Sequence, residues 1–301
     1  LGDEIYVFDA LAVRRHRRRA CLPRIAPVLD DLAARLLDRL DDTTHRFTQA
    51  LDIGGRGSVA PALRARGLHV VSLDPASCLA GCAGGVPVCG EAEMLPFAPG
   101  SFDLVVSSCG LHWINDLPGA LIQIRRALRP DGLFLASIPV LGTLDTLRSA
   151  LTEAELVLRG GASPRVSPFP DLRDCAALLQ RAGFALPVAD AEEVELLYAD
   201  PLALLWDLRA AGETNAVRLR DRRVPPRGLF AQALAALPCT AEGRVRVRLR
   251  LAFLTGWAPA STQPQPLARG SAQVSLADAL GRPGALPLDP GGGGGAPPPQ
   301  E

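Results

Sequence analysis

The sequence predicts an α/β protein: a mostly parallel, doubly wound sheet, with an antiparallel strand and a helical elaboration toward the C-terminus. Three observations carry this. From Arg46 onward, short apolar runs alternate with amphipathic segments, and strand–helix–strand units at that spacing pair in parallel through right-handed crossovers. A glycine-rich turn directly follows the first apolar run. After Pro139 the rhythm changes to helices interrupted by two longer strands.

The elements follow in order. Residues 1–45 read as a helical lead-in, because Ile25, Leu29, Leu32, Leu36 and Leu40 recur at helical spacing. The basic run Arg14-Arg15-His16-Arg17-Arg18-Arg19 follows Asp3, Glu4 and Asp9. It is expected to be the solvated face of a helix, in preference to a transit segment or a nucleic-acid patch. The main domain spans 46–260. Its strands are expected at Phe47–Ile53, His69–Leu73, Phe102–Ser107 and Leu133–Ile138, and its helices at Ser58–Arg66 and Leu117–Leu128. This arrangement is Rossmann-like. Helices over Thr143–Leu158 and Asp171–Ala182, the second ended by Gly183, precede a strand at Leu186–Tyr198. The elaboration, about 201–240, holds helices at Pro201–Ala211 and Gly228–Leu237. Arg244 to Leu251 places arginine at every second position, the pattern of a strand with one wet face. Residues 261–281 form a C-terminal extension, and 282–301, with five consecutive glycines and three consecutive prolines, a disordered tail.

Composition narrows the function. The chain of 301 residues balances 32 basic against 32 acidic side chains, which argues against nucleic acid or an anionic membrane as the main partner. No apolar run reaches the length of a bilayer span. Every basic residue is arginine, which removes Schiff-base, P-loop and lysine-base chemistry. The seven cysteines are odd in number and scattered, as in a reducing compartment. Cys78, Cys82 and Cys89 cluster, but no second group completes a zinc site, and no metal is expected.

The strongest local signal is Asp52-Ile53-Gly54-Gly55-Arg56-Gly57-Ser58 at the end of the first sheet strand. Glycines there let a backbone approach a ligand, and the next helix offers free N–H groups. About twenty residues on, the second strand ends in Asp74, placed to accept hydrogen bonds from a ribose. A nucleotide-like cofactor is the expected ligand. Trp113, Trp206 and Trp257 read first as core or lid packing. Glu213 and Asn215 read equally as channel lining or as a helix-ending turn.

Adding Glu91 before Met94-Leu95-Pro96-Phe97, and then Phe102-Asp103-Leu104-Val105, the chain resembles the class I S-adenosylmethionine-dependent methyltransferases. That resemblance implies their fold and their cofactor. It places Asp52, Gly54, Gly55 and Gly57 by the methionine end, Asp74 on the ribose and Glu91 near the adenine. Ser107, at the end of the strand Phe102–Ser107, is expected to face the cofactor. A narrower resemblance runs from about Phe8 to Leu280. Leu111-His112-Trp113-Ile114-Asn115-Asp116, Arg129-Pro130-Asp131-Gly132, Ser163 to Phe169, Gly212-Glu213-Thr214-Asn215, Gly256-Trp257 and Arg269-Gly270-Ser271-Ala272 occur in order. This is similar to the mitochondrial complex I assembly factor 5 family. It implies a matrix protein, peripheral to the inner membrane, that hydroxylates an arginine on a matrix-arm iron–sulfur subunit of complex I. Bacterial malonyl carrier-protein methyltransferases are expected to be similar only over the first half.

Two departures matter. The family's turn runs Asp-x-Gly-x-Gly-x-Gly, and here it is one residue short. A lost residue moves later N–H groups by up to about 3.5 Å unless the helix start compensates, so the turn has either lost its cofactor or adjusted locally. The family's Gly-Gly-Asp-Thr-Leu is replaced by Val140-Leu141-Gly142-Thr143-Leu144, without the acid. Hydroxylation normally needs a redox cofactor, yet none of His16, His45, His69 and His112 begins a His-x-Asp/Glu pair. His112 alone stands at the expected ligand mouth, either as base or ligand, or packed on Trp113 and bonded to a carbonyl. The oxidant does not follow from the sequence. Three functions remain: an arginine hydroxylase, a methyltransferase acting on a protein or small carboxylate, and an assembly scaffold with a degenerate cofactor site.

Overall fold

The computed structural model describes residues 6–264 and Ser271. The chain divides into a compact unit from Leu1 to Thr262 and a second from Gln263 to Glu301. The expected extension, apart from residues 261 and 262, and the tail fall in the second, and all but a few of their residues lie outside the described ones.

The first unit begins with helices α1 (Ala10–Arg18) and α2 (Leu22–Leu37). Then strands and helices alternate: β1 (Gln49–Ile53), α3 (Val59–Ala65), β2 (His69–Asp74), α4 (Ser77–Cys82), β3 (Val86–Cys89), β4 (Phe102–Ser108), α5 (Leu117–Ala127) and β5 (Leu128–Pro139). Next come α6 (Asp145–Arg159), α7 (Leu172–Arg181), β6 (Ala185–Tyr198), α8 (Pro201–Ala210), α9 (Leu229–Ala235) and β7 (Val245–Trp257). The sheet order is β3-β2-β1-β4-β5-β7-β6. The first five strands pair in parallel, and β7 runs antiparallel to both β5 and β6. This is the doubly wound sheet with an antiparallel addition that the sequence predicts.

Period-two alternation sorts each inner strand onto two faces. Leu51, Ile53, Val105, Phe134, Ala136 and Ile138 face α5 and α7, meeting Leu121, Ile124 and Leu179. Ala50, Leu104, Val106, Leu133, Leu135 and Phe253 face α2 and α3, meeting Leu32, Leu36 and Leu63. Both layers are buried, and each fully buried Val, Leu, Ile or Phe side chain among them contributes roughly 1.5–3 kcal/mol. A third cluster under α6, α8 and α9 joins Leu147, Leu151, Leu204, Leu229 and Val247. It makes the elaboration part of the same unit.

The arginine alternation of β7 is a wet strand face, as expected: Val245 and Val247 are buried, Arg246 and Arg248 exposed. Those arginines pair across the strands with β6, Arg246 with Glu195 at 3.0 Å and Arg248 with Glu193 at 3.4 Å. The segment after α6 is tied down by one buried acid. Glu155 accepts from the Ser163 amide at 2.8 Å and from Arg165 at 2.6 Å. Burial would raise its carboxyl, but Arg165 and Ser163 outweigh that and hold it below the usual range. This fixes Arg165 and Val166 on the wall of the pocket described below.

The basic run departs from expectation. It forms most of α1, whose start is capped by Asp9 accepting from the Ala12 amide at 3.0 Å. Ala12, Val13 and Arg17 are buried, Arg17 at 4 % exposure, so the helix is not simply a solvated face. Phe8 packs edge-on to Trp113 at 5.2 Å and donates its amide to Asn115 Oδ1 at 2.8 Å, while Asp9 pairs with Arg220. The reason for burying an arginine lies at the ends of β1 and β2.

Candidate functional site

The carboxyl ends of β1, β2 and β4 converge where ligands bind in open α/β sheets. Gly54 adopts φ +72° and donates to the Leu73 carbonyl at 2.8 Å, so the turn crosses onto β2. A Cβ there would stand 2.8 Å from Gly110 Cα, and one on Gly55 would collide with the Asp52 carboxylate. Gly57, at φ +88°, leads into α3. Ser107 is buried and donates to the Ile53 carbonyl at 2.9 Å, locking β4 to the turn.

The shortened turn leaves a trace. Asp52 is wholly buried, and neither of its carboxylate oxygens has a hydrogen-bond partner. A strand-end acid before a glycine turn is the natural acceptor for the turn's N–H groups, and here none donates to it. Burial, helped by the charge of Asp74 and opposed by Arg17, pushes its carboxyl up to about 7. A carboxyl raised on folding stabilises most below its unfolded value near 3.8 and loses that contribution as pH rises through about 7. Asp52→Asn is therefore expected to raise stability by about 2 kcal/mol at pH 5 and by about 4 kcal/mol at pH 8. Urea unfolding at the two pH values checks this; equal midpoint shifts would mean the carboxyl is not protonated in the fold.

Asp74, at the end of β2, has a partner from its own chain. Arg17 of α1 lays its guanidinium on both carboxylate oxygens, Nε at 3.1 and 3.3 Å, with Nη2 closer still. The same Nη2 donates to the Gly54 carbonyl at 3.1 Å. One turn back along α1, Arg14 pairs with Glu91. So the acids expected at the ribose and the adenine both hold arginines of one helix.

This decides the fit of a nucleoside cofactor. The cavity between α1, the glycine turn, Glu91 and Trp113 measures about 50 Å³, room for one or two waters at ~30 Å³ each. Ligand sites of this kind usually need roughly 300–1,000 Å³. With α1 in place, the residues do not fit S-adenosylmethionine.

A larger pocket of about 680 Å³ opens between α2, α6, α8 and β7. Leu29, Leu147, Leu204 and Val247 contribute to its apolar wall, and Arg56, His112 and Glu213 to its polar part. Glu213, in the turn after α8, is the hub. Its Oε1 pairs with Arg56, whose Nη2 also donates to the Cys109 carbonyl at 2.9 Å. Its Oε2 accepts from His112 Nε2 and from Trp113 Nε1, each at 2.7 Å. A carboxylate only accepts, so His112 Nε2 carries the proton. Burial alone would raise Glu213, but the charges of His112 and Arg56 outweigh it and hold the carboxyl well below the usual range.

Of the two readings of His112, the structure combines parts of each: the ring lies 5.4 Å from Trp113, but its partner is a carboxylate rather than a carbonyl. Glu213 lines a pocket, one of its two sequence readings. Among the described residues no group of three or more His, Cys, Asp or Glu side chains could hold a metal ion. Sequence reasoning missed Arg17 and Arg56. The available signals were an arginine run with acids to answer it and an arginine inside the glycine turn.

The fold and the site define a methyltransferase-domain protein, and residues 51–136 match that domain family. A solved structure, the YcgJ protein of Bacillus subtilis, superposes with a TM-score of 0.52 at 18% identity, over 75% of this chain and 98% of that one. That likeness concerns the fold alone. The arginine-hydroxylase NDUFAF5, mitochondrial, of Danio rerio is 35% identical over 86% of this chain and 84% of its own length. The chain belongs to this NDUFAF5 family. The malonyl-[acyl-carrier protein] O-methyltransferase of Xylella fastidiosa is 34% identical over 87% of this chain and 92% of its own length. Similarity to those bacterial enzymes therefore runs well beyond the first half, contrary to expectation. The elaboration, like the sheet, is common ground.

Proposed function

We propose that the protein hydroxylates an arginine on a matrix-arm iron–sulfur subunit of complex I, or of its assembly intermediate, and so serves complex I assembly. The relatives named arginine-hydroxylase, mitochondrial, support the reaction and the compartment. The matrix and a peripheral place on the inner membrane belong to the same reading. No helix among the described residues is long and apolar enough to cross a membrane.

The observation that carries the reading is Glu213: an ionised carboxylate lining an apolar pocket, already in contact with a guanidinium. Arg56 shows how that carboxylate would grip a substrate arginine, while apolar walls take an aliphatic stem. His112 and Trp113 fix the second oxygen, so the carboxylate is held before substrate arrives.

Mass spectrometry of the target subunit, with and without this protein, tests the proposal. An arginine heavier by 16 Da only where the protein is present is expected, and an unmodified arginine in both samples refutes it. A second reading, methyl transfer from S-adenosylmethionine, is favoured by the likeness to the Xylella enzyme and predicts 14 Da instead. A third, a scaffold with a degenerate cofactor site, is favoured by Arg17 on Asp74. It predicts that Asp74→Ala still rescues complex I assembly.

A further inference from the structure

We infer that helix α1 and an adenosine-type cofactor are alternative occupants of one site, so that cofactor enters only when α1 leaves. The acids that would hold the nucleoside are the acids that hold the helix. Asp74 and Glu91 receive Arg17 and Arg14, which stand on one face of α1 three residues apart. The Asp74 contact is no surface pair: Arg17 and Asp74 are exposed by 4% and 1%. Arg17 also takes the Gly54 carbonyl, so its guanidinium spans the glycine turn as well as the acid.

Space gives the same answer independently. About 50 Å³ remains between Leu73, Pro75 and Glu91, bounded by Val13 and Arg17 of the helix itself. Swinging the Arg17 side chain aside would free the volume of a few atoms, far less than a nucleoside joined to an amino acid occupies. The helix backbone has to move too.

The fold supplies the means. At one end α1 is held by Phe8 on Trp113 and by Asp9, which pairs with Arg220 and Arg222. At the other it is held by the Cys21 amide on the Ala210 carbonyl. Between these anchors, the ionic contacts of α1 with the sheet are those a ribose and an adenine would replace. Release would take from Asp74 its guanidinium partner and the hydrogen bonds it makes. Cofactor hydroxyls would replace those bonds, so docking and binding compete directly. This rests on the site geometry alone, and its failure would leave the hydroxylation reading standing.

The test pairs the full native chain with Phe8→Ala, which loosens the helix anchor while leaving Arg17, Asp74 and the sheet intact. Calorimetry with S-adenosylmethionine is expected to show at least tenfold tighter binding to Phe8→Ala than to the native chain. Hydrogen exchange at the amides of α1 is expected to accelerate at least tenfold on saturation of whichever protein binds. Equal affinities overturn the inference, as does binding with unchanged α1 exchange. Absence of binding to either protein at millimolar ligand overturns it as well, because the site would then be closed for good.

Discussion

Replacing Arg17 with methionine is expected to lower stability by about 3–5 kcal/mol, the cost of leaving a buried charge without its partner. For a domain of this size that is a Tm roughly 10 °C lower. Asp74 has almost no exposure, and apart from Arg17 its hydrogen bond comes from the Ala76 amide at 2.7 Å. Arg17→Met with Asp74→Leu removes both charges and is expected to recover most of the loss, since an apolar pair of similar volume often replaces a buried ion pair at little cost. Thermal melts of the two variants beside the native chain decide it. A single variant melting within two or three degrees of native would mean that Asp74 protonates, or that water reaches it, when Arg17 goes.

Glu213→Gln is expected to lower kcat/KM for arginine hydroxylation by on the order of 100-fold, equivalent to losing about 3 kcal/mol of charge-assisted contact. The amide keeps one acceptor for His112 and Trp113 but turns an NH₂ toward the Arg56 guanidinium, where a second donor is unwelcome. A part of the loss will be structural, because Arg56 is itself 4% exposed. The substrate's share shows as a rise in KM at unchanged fold. The pH sign is fixed by the lowered carboxyl: its contribution is present above about 4.5 and is lost only as pH falls through the depressed folded value. The native activity should therefore keep this contact across pH 5–8, and an acid limb near pH 6 that vanishes in Glu213→Gln would contradict it.

The sheet was legible in the sequence because parallel strands buried on both faces read as unbroken apolar runs, as in Leu104-Val105-Val106, separated by amphipathic helices. The exceptions have physical causes. Strand β3 is Val86-Pro87-Val88-Cys89, four residues at the sheet's margin with a proline inside, too short and too exposed to stand out. Helix α4 is six residues containing Gly81, held by its neighbours rather than by propensity. The site divides the same way. Asp52, Gly54, Gly55, Asp74 and Ser107 do gather at the strand ends, because the glycine turn and the strand-end acid are local signals. Arg17 does not announce itself: it is one arginine among five in a row of six, and its partner lies 57 residues away. Only tertiary packing selects which of them is buried.

The cross-strand ladder of β6 and β7 bears on how copies of the protein meet. Among the described residues β6 has a strand neighbour on one side only, and an open edge is where chains zip together. Along β6 stand Asp190, Glu192, Glu193 and Glu195, with no basic residue of the same strand. The arginines that pair with Glu193 and Glu195 belong to β7, and those that pair with Asp190 and Glu192, Arg39 and Arg35, belong to the turn after α2 and to α2 itself. Strand addition would set these acids of one molecule against those of the other while their arginine partners stay on neighbouring elements, a charge mismatch felt most at low salt.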